Sequence, residues 1–231
     1  MANDKRLVWD LPLRAFHWLL AFSILASYLT AENGGFNAMT WHMYLGYWTA
    51  GLIIFRVIWG FVGPRHARFV NFLPTPGKLF RYLKGFFHGD TVHTVGHNPA
   101  GSIMVVIMLV LVAFQVTTGM MSTDDIFTYG PYNAAVSSAT GRDMTLLHGN
   151  NFNFILAAIV IHVLAIFFYR VFKGHKLVWP MITGRKPAEN VPAGMEIHSS
   201  QLGKAVVVAL VSAAIVYAIV HFAPPPPSFE Y

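Results

Sequence analysis

The sequence predicts an all-α integral membrane protein, a bundle of helices that cross the bilayer. Three observations predict it. Of 231 residues, 55% are hydrophobic and only 11% charged, against about 25% charged in ordinary globular domains. The apolar residues fall into blocks of roughly 20, the length a helix needs to cross a hydrocarbon core near 30 Å. The basic residues concentrate in alternate connections between those blocks.

Five blocks are legible: Ala15–Ala31, Trp41–Val62, Ser102–Met121, Phe152–Phe172 and Ala205–Phe222. Each is long enough to span at 1.5 Å rise per residue. In lipid a segment must satisfy its own backbone, which a helix does. Buried core helices of a soluble protein would instead need long polar flanks to cover them. The opening stretch lacks a short apolar core ending in a small-residue cleavage site, so the first span is expected to be retained.

Positive charge sets the expected orientation. With the N-terminus inside, fifteen of the sixteen Lys and Arg residues face the inner side, and only Arg142 lies outside. The acidic residues divide five and five, so the bias belongs to positive charge. An odd number of spans places the C-terminal tail PPPPSFEY outside. This asymmetry accounts for the net charge of +6 without a nucleic-acid partner.

The connections follow in order. The first outer loop, Glu32–Thr40, is short and contains glycine. The inner connection from Gly63 to Gly101 holds GPRHARF and TPGKLFRYLKGFF, expected to lie on the inner leaflet as an amphipathic basic piece. The second outer loop, Ser122–Asn151, carries Asp124, Asp125 and Asp143 and a candidate interfacial helix over Tyr132–Leu147. The last inner loop, Lys173–Gly203, is expected to be irregular.

The absence of cysteine excludes disulfides, iron–sulfur clusters, thiolate metal sites and thioether-linked haem. A haem in this chain must be held non-covalently by His or Met, and the chain has 11 His and 10 Met. Intramembrane ionisable residues are costly and usually functional. Four histidines stand out: His17 near the inner end of span 1, His42 at the outer end of span 2, and His148 and His162 at the outer and inner parts of span 4. Fourteen residues separate the last two, about 40° short of four turns, so both face nearly one side about 21 Å apart along a helix that reaches His148.

Depth pairs His42 with His148 and His17 with His162. Each pair can give a bis-histidine iron with no open position, which favours electron transfer over oxygen chemistry. Taken singly, any of these histidines can also be a snorkelling or hydrogen-bonded interface residue. Zinc is a poorer fit, because each pair offers two ligands with no nearby Cys or carboxylate.

Arg14, Arg56 and Arg65 are candidates to bind haem propionates, which guanidinium clamps bidentately; the positive-inside bias explains them equally. His97, in GHNPAG before span 3, can bond a propionate or a quinone, or help cap the helix with Asn98 and Pro99. His66, His88, His93, His175 and His198 are expected to be solvated, and His221 interfacial. Trp9, Trp18, Trp41, Trp59 and Trp179 fall near expected interfaces. Gly46, Gly51 and Gly119 permit close approach of a helix or a porphyrin. Met120 and Met121 are reserve ligands.

WDLPLRAFHW opening span 1, the histidine starting span 2, RVIWGFVGPRHARF leaving it, GHNPAG before span 3 and the H–x13–H of span 4 together resemble the bacterial cytochrome b561 family, which includes b-type cytochrome subunits of nickel–iron hydrogenases. The resemblance covers about Val8 to Pro187. It implies a four-helix haem-binding transmembrane bundle, here extended by a fifth C-terminal helix. Residues 1–187 would form the di-haem domain, and 188–231 an extension with the fifth helix and a proline-rich tail. It also implies two haem b groups ligated by His17, His42, His148 and His162, location in the bacterial inner membrane, and electron exchange with the quinone pool and a periplasmic partner. GHNPAG and GFVGPRHARF look typical of the branch serving a c-type cytochrome or oxidoreductase.

The leading expectation is therefore an electron-transfer subunit of a quinone-linked oxidoreductase system. The rivals are a quinone-coupled superoxide oxidase and a non-redox membrane anchor. A superoxide oxidase would need an electropositive outer funnel, and the expected outer side has one Arg and five acids.

Overall fold

Helix caps and left-handed turns fix where several of the elements begin or end. The computed structural model describes residues 4–87, 94–126 and 128–225. In chain order these form β1 (Lys5–Leu7), α1 (Leu11–Asn33), α2 (Phe36–Val62), α3 (Phe69–Phe72), α4 (Pro76–Phe87), α5 (Pro99–Met121), α6 (Ser138–Phe172), α7 (Val178–Thr183), β2 (Arg185–Pro187) and α8 (Leu202–His221). Five of them, α1, α2, α5, α6 and α8, are long and apolar enough to cross a membrane. The protein is an all-α, multi-pass membrane protein.

Asp10 caps α1, its Oδ1 accepting the Leu13 N–H at 2.8 Å. Gly34 and Gly35, at φ +61° and +81°, make the left-handed turn into α2. Asn98 caps α5 by accepting the Gly101 N–H at 2.7 Å, and Pro99 occupies the first helical position. Ser137 accepts the Thr140 N–H at 3.2 Å ahead of α6. That helix runs 35 residues without a break. The expected interfacial helix and the fourth span are thus one element, because no proline interrupts residues 138–172.

Backbone packing divides the chain into two compact units, and each of the five long helices contributes to both. The first unit comprises residues 1–17, 56–108 and 158–208. Here β1 pairs antiparallel with β2, Arg6 opposite Lys186. The Val8 and Trp9 N–H groups both donate to Gly184 O, at 2.9 and 3.0 Å. Gly184 ends α7 at φ +80°, and a Cβ there would stand 2.6 Å from Trp9 O. Ala188 donates to Asp4 O and Ile197 to Leu7 O, each at 2.9 Å. The segment expected to be irregular therefore contains α7, β2 and a helical turn at Ala188–Asn190, stitched to the N-terminal strand.

Also in the first unit, α3 folds back on the end of α2. A Cβ on Gly60 would stand 2.0 Å from the Phe69 ring, so only glycine admits that approach. Ser102 is fully buried and donates to Phe72 O at 2.8 Å. Two expectations change here. Trp59, expected at an interface, is completely buried and donates its indole N–H to Asp10 Oδ1 at 3.0 Å. His66, expected to be solvated, is buried with Nε2 2.7 Å from Met195 O. Both partners lie far away in sequence, so local composition gave no sign of them. His88 and His93 lie outside the described residues.

The amphipathic expectation is met by α4. It exposes Phe80 at 70% while Lys78, Arg81 and Lys84 supply its charge. Tyr82 on its other side meets the Tyr169 hydroxyl of α6.

The second unit comprises residues 18–55, 109–157 and 209–231. Tyr28 and Phe152 stack at 5.2 Å. Gly51 brings α2 against Val216 of α8. The acidic connection is a compact turn: Asp124 Oδ1 accepts the N–H groups of Ile126 and Thr128 at 2.9 and 2.7 Å. Thr145 Oγ1 donates to Thr123 O at 2.9 Å, and Tyr132 donates to Ile219 O at 2.9 Å. The loop is thereby tied to α6 and α8.

Gly184→Ala tests the stitch between α7 and the N-terminal strand. The new methyl meets both a left-handed backbone and Trp9 O. A loss of about 1–3 kcal/mol is expected, measured as reduced unfolding free energy in lipid–detergent micelles.

Candidate functional site

The helical positions of four histidines bring them into two facing pairs. In the first unit the rings of His17 and His162 have centres 6.4 Å apart, with planes at 54°. In the second unit His42 and His148 have centres 6.0 Å apart, with planes at 79°. Two imidazoles hydrogen-bonded directly to each other would approach more closely. An imidazole nitrogen bonds a first-row metal at about 2.0–2.1 Å, and the ring centre lies about 1.2 Å behind it, so two rings on opposite faces of one metal have centres about 6.4–6.6 Å apart. The 6.4 Å gap matches that span, and the 6.0 Å gap falls a few tenths of an ångström short of it.

The His42–His148 pair has its outer nitrogens anchored. His42 Nδ1 lies 2.9 Å from Ser27 O, and His148 Nδ1 lies 2.9 Å from Gln115 O. A carbonyl only accepts, so Nδ1 carries the proton in both rings and Nε2 keeps its lone pair. Metal-ligating histidines are oriented in this way. Thr30 and Thr118 hydroxyls stand 3.5 and 3.3 Å from the same Nδ1 atoms. Asn151 adds a further layer, donating to Leu111 O at 2.9 Å and Gln115 Oε1 at 2.7 Å. Sequence reasoning passed over Ser27, Gln115 and Asn151. The backbone carbonyls of Ser27 and Gln115 carry no signal in the sequence; the Gln115 side chain, a polar group within an apolar span, does.

Between these two histidines the second unit holds a cavity of about 600 Å³, lined also by Gly46, Gly119, Val112 and Phe152. That lies within the range of about 300–1,000 Å³ typical of cofactor pockets. Gly119 is needed at this point, since a Cβ there would stand 2.8 Å from the His148 ring. Gly46 meets nothing within 4 Å and leaves its side of the cavity open. Among the described residues no cluster of three or more His, Asp or Glu could hold a bare metal ion. Two nitrogens suit a metal whose remaining positions are filled by a macrocycle.

In the first unit a polar cluster surrounds the start of α1. Arg56 is 1% exposed, and neither terminal guanidinium nitrogen has a hydrogen-bond partner among the described residues. Its Cζ lies 4.7 Å from the Phe69 ring centre and 5.8 Å from that of Phe72. An unpaired buried charge is expensive, so this group calls for an anion. The other two candidate arginines are engaged elsewhere: Arg14 with Ile182 O, and the exposed Arg65 with Gly194 O at 3.0 Å.

His97 packs against Trp9 and Phe72, both at 4.7 Å between ring centres. Its Nδ1 is buried without a partner among the described residues, while Asn98 provides the cap of α5. Burial, then the charges of Arg56, His66, Lys186 and His17, push the His97 imidazole down to about 3. Burial also raises the Asp10 carboxyl above its ordinary value, opposed by the Leu13 N–H, the Trp59 indole, its own backbone N–H and Arg56. Lys186 is held by Thr94 O and Val95 O.

Five apolar helices with two facing histidine pairs define a multi-pass membrane protein built like a b-type cytochrome. Over residues 8–184 the sequence matches the prokaryotic cytochrome b561 family, and the chain belongs to it. It is similar to proteins named probable Ni/Fe-hydrogenase B-type cytochrome subunit. With that of Rhizobium leguminosarum bv. viciae it shares 24% identity over 78% of this chain and 87% of the relative. With that of Bradyrhizobium diazoefficiens it shares 29% over 48% of this chain, and with that of Azotobacter chroococcum mcd 1 27% over 48%. The matched stretch spans about half of each of these last two relatives, 55% and 57%. No solved structure matches. Membership of a b-type cytochrome family implies haem b.

The depressed His97 value gives a pH test. The folded chain keeps His97 neutral down to about pH 3, whereas an unfolded His binds a proton near 6.5. Stability present above pH 6.5 is therefore lost as pH falls from 6.5 towards 3. His97→Gln is expected to flatten that acid limb in thermal unfolding recorded between pH 4 and 7.

Proposed function

We propose that this protein carries electrons across the membrane through two haem b groups, one held by His17 and His162 and the other by His42 and His148. The observation that carries this reading is the pair of ring-centre separations, 6.4 and 6.0 Å, the first equal to and the second a few tenths of an ångström below that of two imidazoles on one iron. The Nδ1 bonds to Ser27 O and Gln115 O support it, because they leave the Nε2 lone pairs of two rings that line the 600 Å³ cavity available for a metal. When bound, haem supplies a one-electron couple.

The chain's own residues do the rest. Two histidines per iron leave no position for oxygen or substrate. Arg56 offers its unpaired guanidinium to the propionates of the His17–His162 haem, with His97 Nδ1 beside the same cluster. Arg14 and Arg65 would reach a propionate only by releasing Ile182 O and Gly194 O. Residues 1–187 form the haem-binding part, and α8 with the proline tail forms the extension.

The positive-inside bias supports an N-terminus in the cytoplasm and a C-terminus in the periplasm of the bacterial inner membrane. On that orientation the Asp124–Asp125 turn faces a periplasmic donor, a c-type cytochrome or an oxidoreductase, and quinone is the partner in the membrane. The name shared by the relatives, a subunit of a Ni/Fe-hydrogenase, supports a place beside a larger redox enzyme. Electrons can pass in either direction.

Purified protein is expected to contain about two haem b per chain by pyridine haemochrome. His148→Ala and His162→Ala should each leave one. A colourless wild type would overturn the reading in favour of a non-redox anchor. Loss of both haems in both variants would overturn the assignment of separate sites.

A further inference from the structure

Asp10 is a carboxyl with no exposed surface, at the start of the helix that carries His17. One oxygen is fully used: Oδ1 accepts the Leu13 N–H at 2.8 Å and the Trp59 indole N–H at 3.0 Å. The other, Oδ2, is buried and has no hydrogen-bond partner among the described residues. A buried carboxylate oxygen without a donor is costly, and a proton relieves that cost. The Asp10 carbonyl accepts the Arg14 N–H at 3.2 Å, so the residue is already in helical register. Seven residues are nearly two turns, which puts Asp10 and His17 on one face about 10 Å apart along the axis.

The charged and titratable groups around Asp10 come from three places. Arg14 is on the same helix, Arg56 is on α2, and His66 is on the connection after it. The Arg56 guanidinium holds part of the Asp10 charge in balance. A haem propionate drawn to Arg56 would weaken that balance and leave the carboxylate needing a proton more. His97 belongs to the same cluster, where Arg56, His66 and Lys186 act on it.

We infer that Asp10 is the proton acceptor coupled to the His17–His162 centre. An electron arriving there from the redox partner draws a proton from water onto Asp10 Oδ2, in a fraction set by the strength of the coupling, and the proton returns to water when the electron leaves. Gaining an electron removes one unit of positive charge from the centre. At about 10 Å and an effective dielectric of 20, that alters a neighbouring proton affinity roughly tenfold. The inference rests on the proposed haem between His17 and His162, and deepens it by naming where its compensating proton goes.

The test is a spectroelectrochemical titration of the intact haem-loaded protein, with infrared difference spectra in H2O and D2O. Reduction should produce the C=O stretch of a protonated carboxyl that shifts in D2O and is missing in Asp10→Asn. The midpoint of one haem should fall with rising pH, by about 59 mV in total for a tenfold coupling. Asp10→Asn should make that midpoint independent of pH over the same window. Trp59→Phe removes a donor that holds Asp10 ionised, so the window should move to higher pH.

A protein with both haems but no such carboxyl band overturns the inference and leaves the haem sites standing. So does a window that Trp59→Phe leaves in place, which decides the matter even where Asp10→Asn fails to fold. Absence of any haem at His17–His162 instead removes the reading beneath it.

Discussion

The bonds from the Nδ1 atoms of His42 and His148 to helix carbonyls are the interaction on which the second-unit site depends. An imidazole has two nitrogens, and which one is free decides whether it can bind a metal inward. Each of these carbonyls belongs to a helix yet has a second lone pair to offer. The rings are therefore fixed by backbone, which sequence change elsewhere alters least. Gly119 makes room for one ring and Gly46 for what stands between them. A bilayer forces helices on the chain, and the helix period does the remaining placement.

The first unit has a different character. Its histidine pair sits beside a cluster of titratable groups: the buried Asp10, Arg56 and His66, with His97 and Lys186 against them. Water cannot screen these groups as it would at a surface, so each must be matched by a partner, a proton or a ligand. Arg56, with two unpaired nitrogens, is the most exacting of them. Electron transfer through such a region moves charge in a medium that resists it. A nearby carboxyl that can change protonation lowers that resistance.

Much of this was legible in the sequence, for physical reasons. Apolar runs of bilayer length give the five spans. The fourteen-residue spacing of His148 and His162, with depth, brings out the same pairs that face one another in the structure. Long-range partners were not legible. Nothing near Trp59 says that it donates to Asp10, 49 residues away. Nothing near His66 foretells Met195, 129 residues on. The loop after α6 read as irregular because its strand is three residues long and its partner is at the other end of the chain. Of the three arginines marked for propionates, charge alone could not single out Arg56. Only burial separates it from Arg65, which meets a carbonyl at the surface.

The central claim is that each iron lies between two imidazoles held with crossed planes. Low-temperature electron paramagnetic resonance of the oxidised protein tests it most directly, with magnetic circular dichroism in the near infrared. Two strongly anisotropic low-spin ferric signals are expected, with charge-transfer bands of bis-imidazole coordination. A high-spin ferric signal, or the band of a methionine sulfur on iron, would contradict the account.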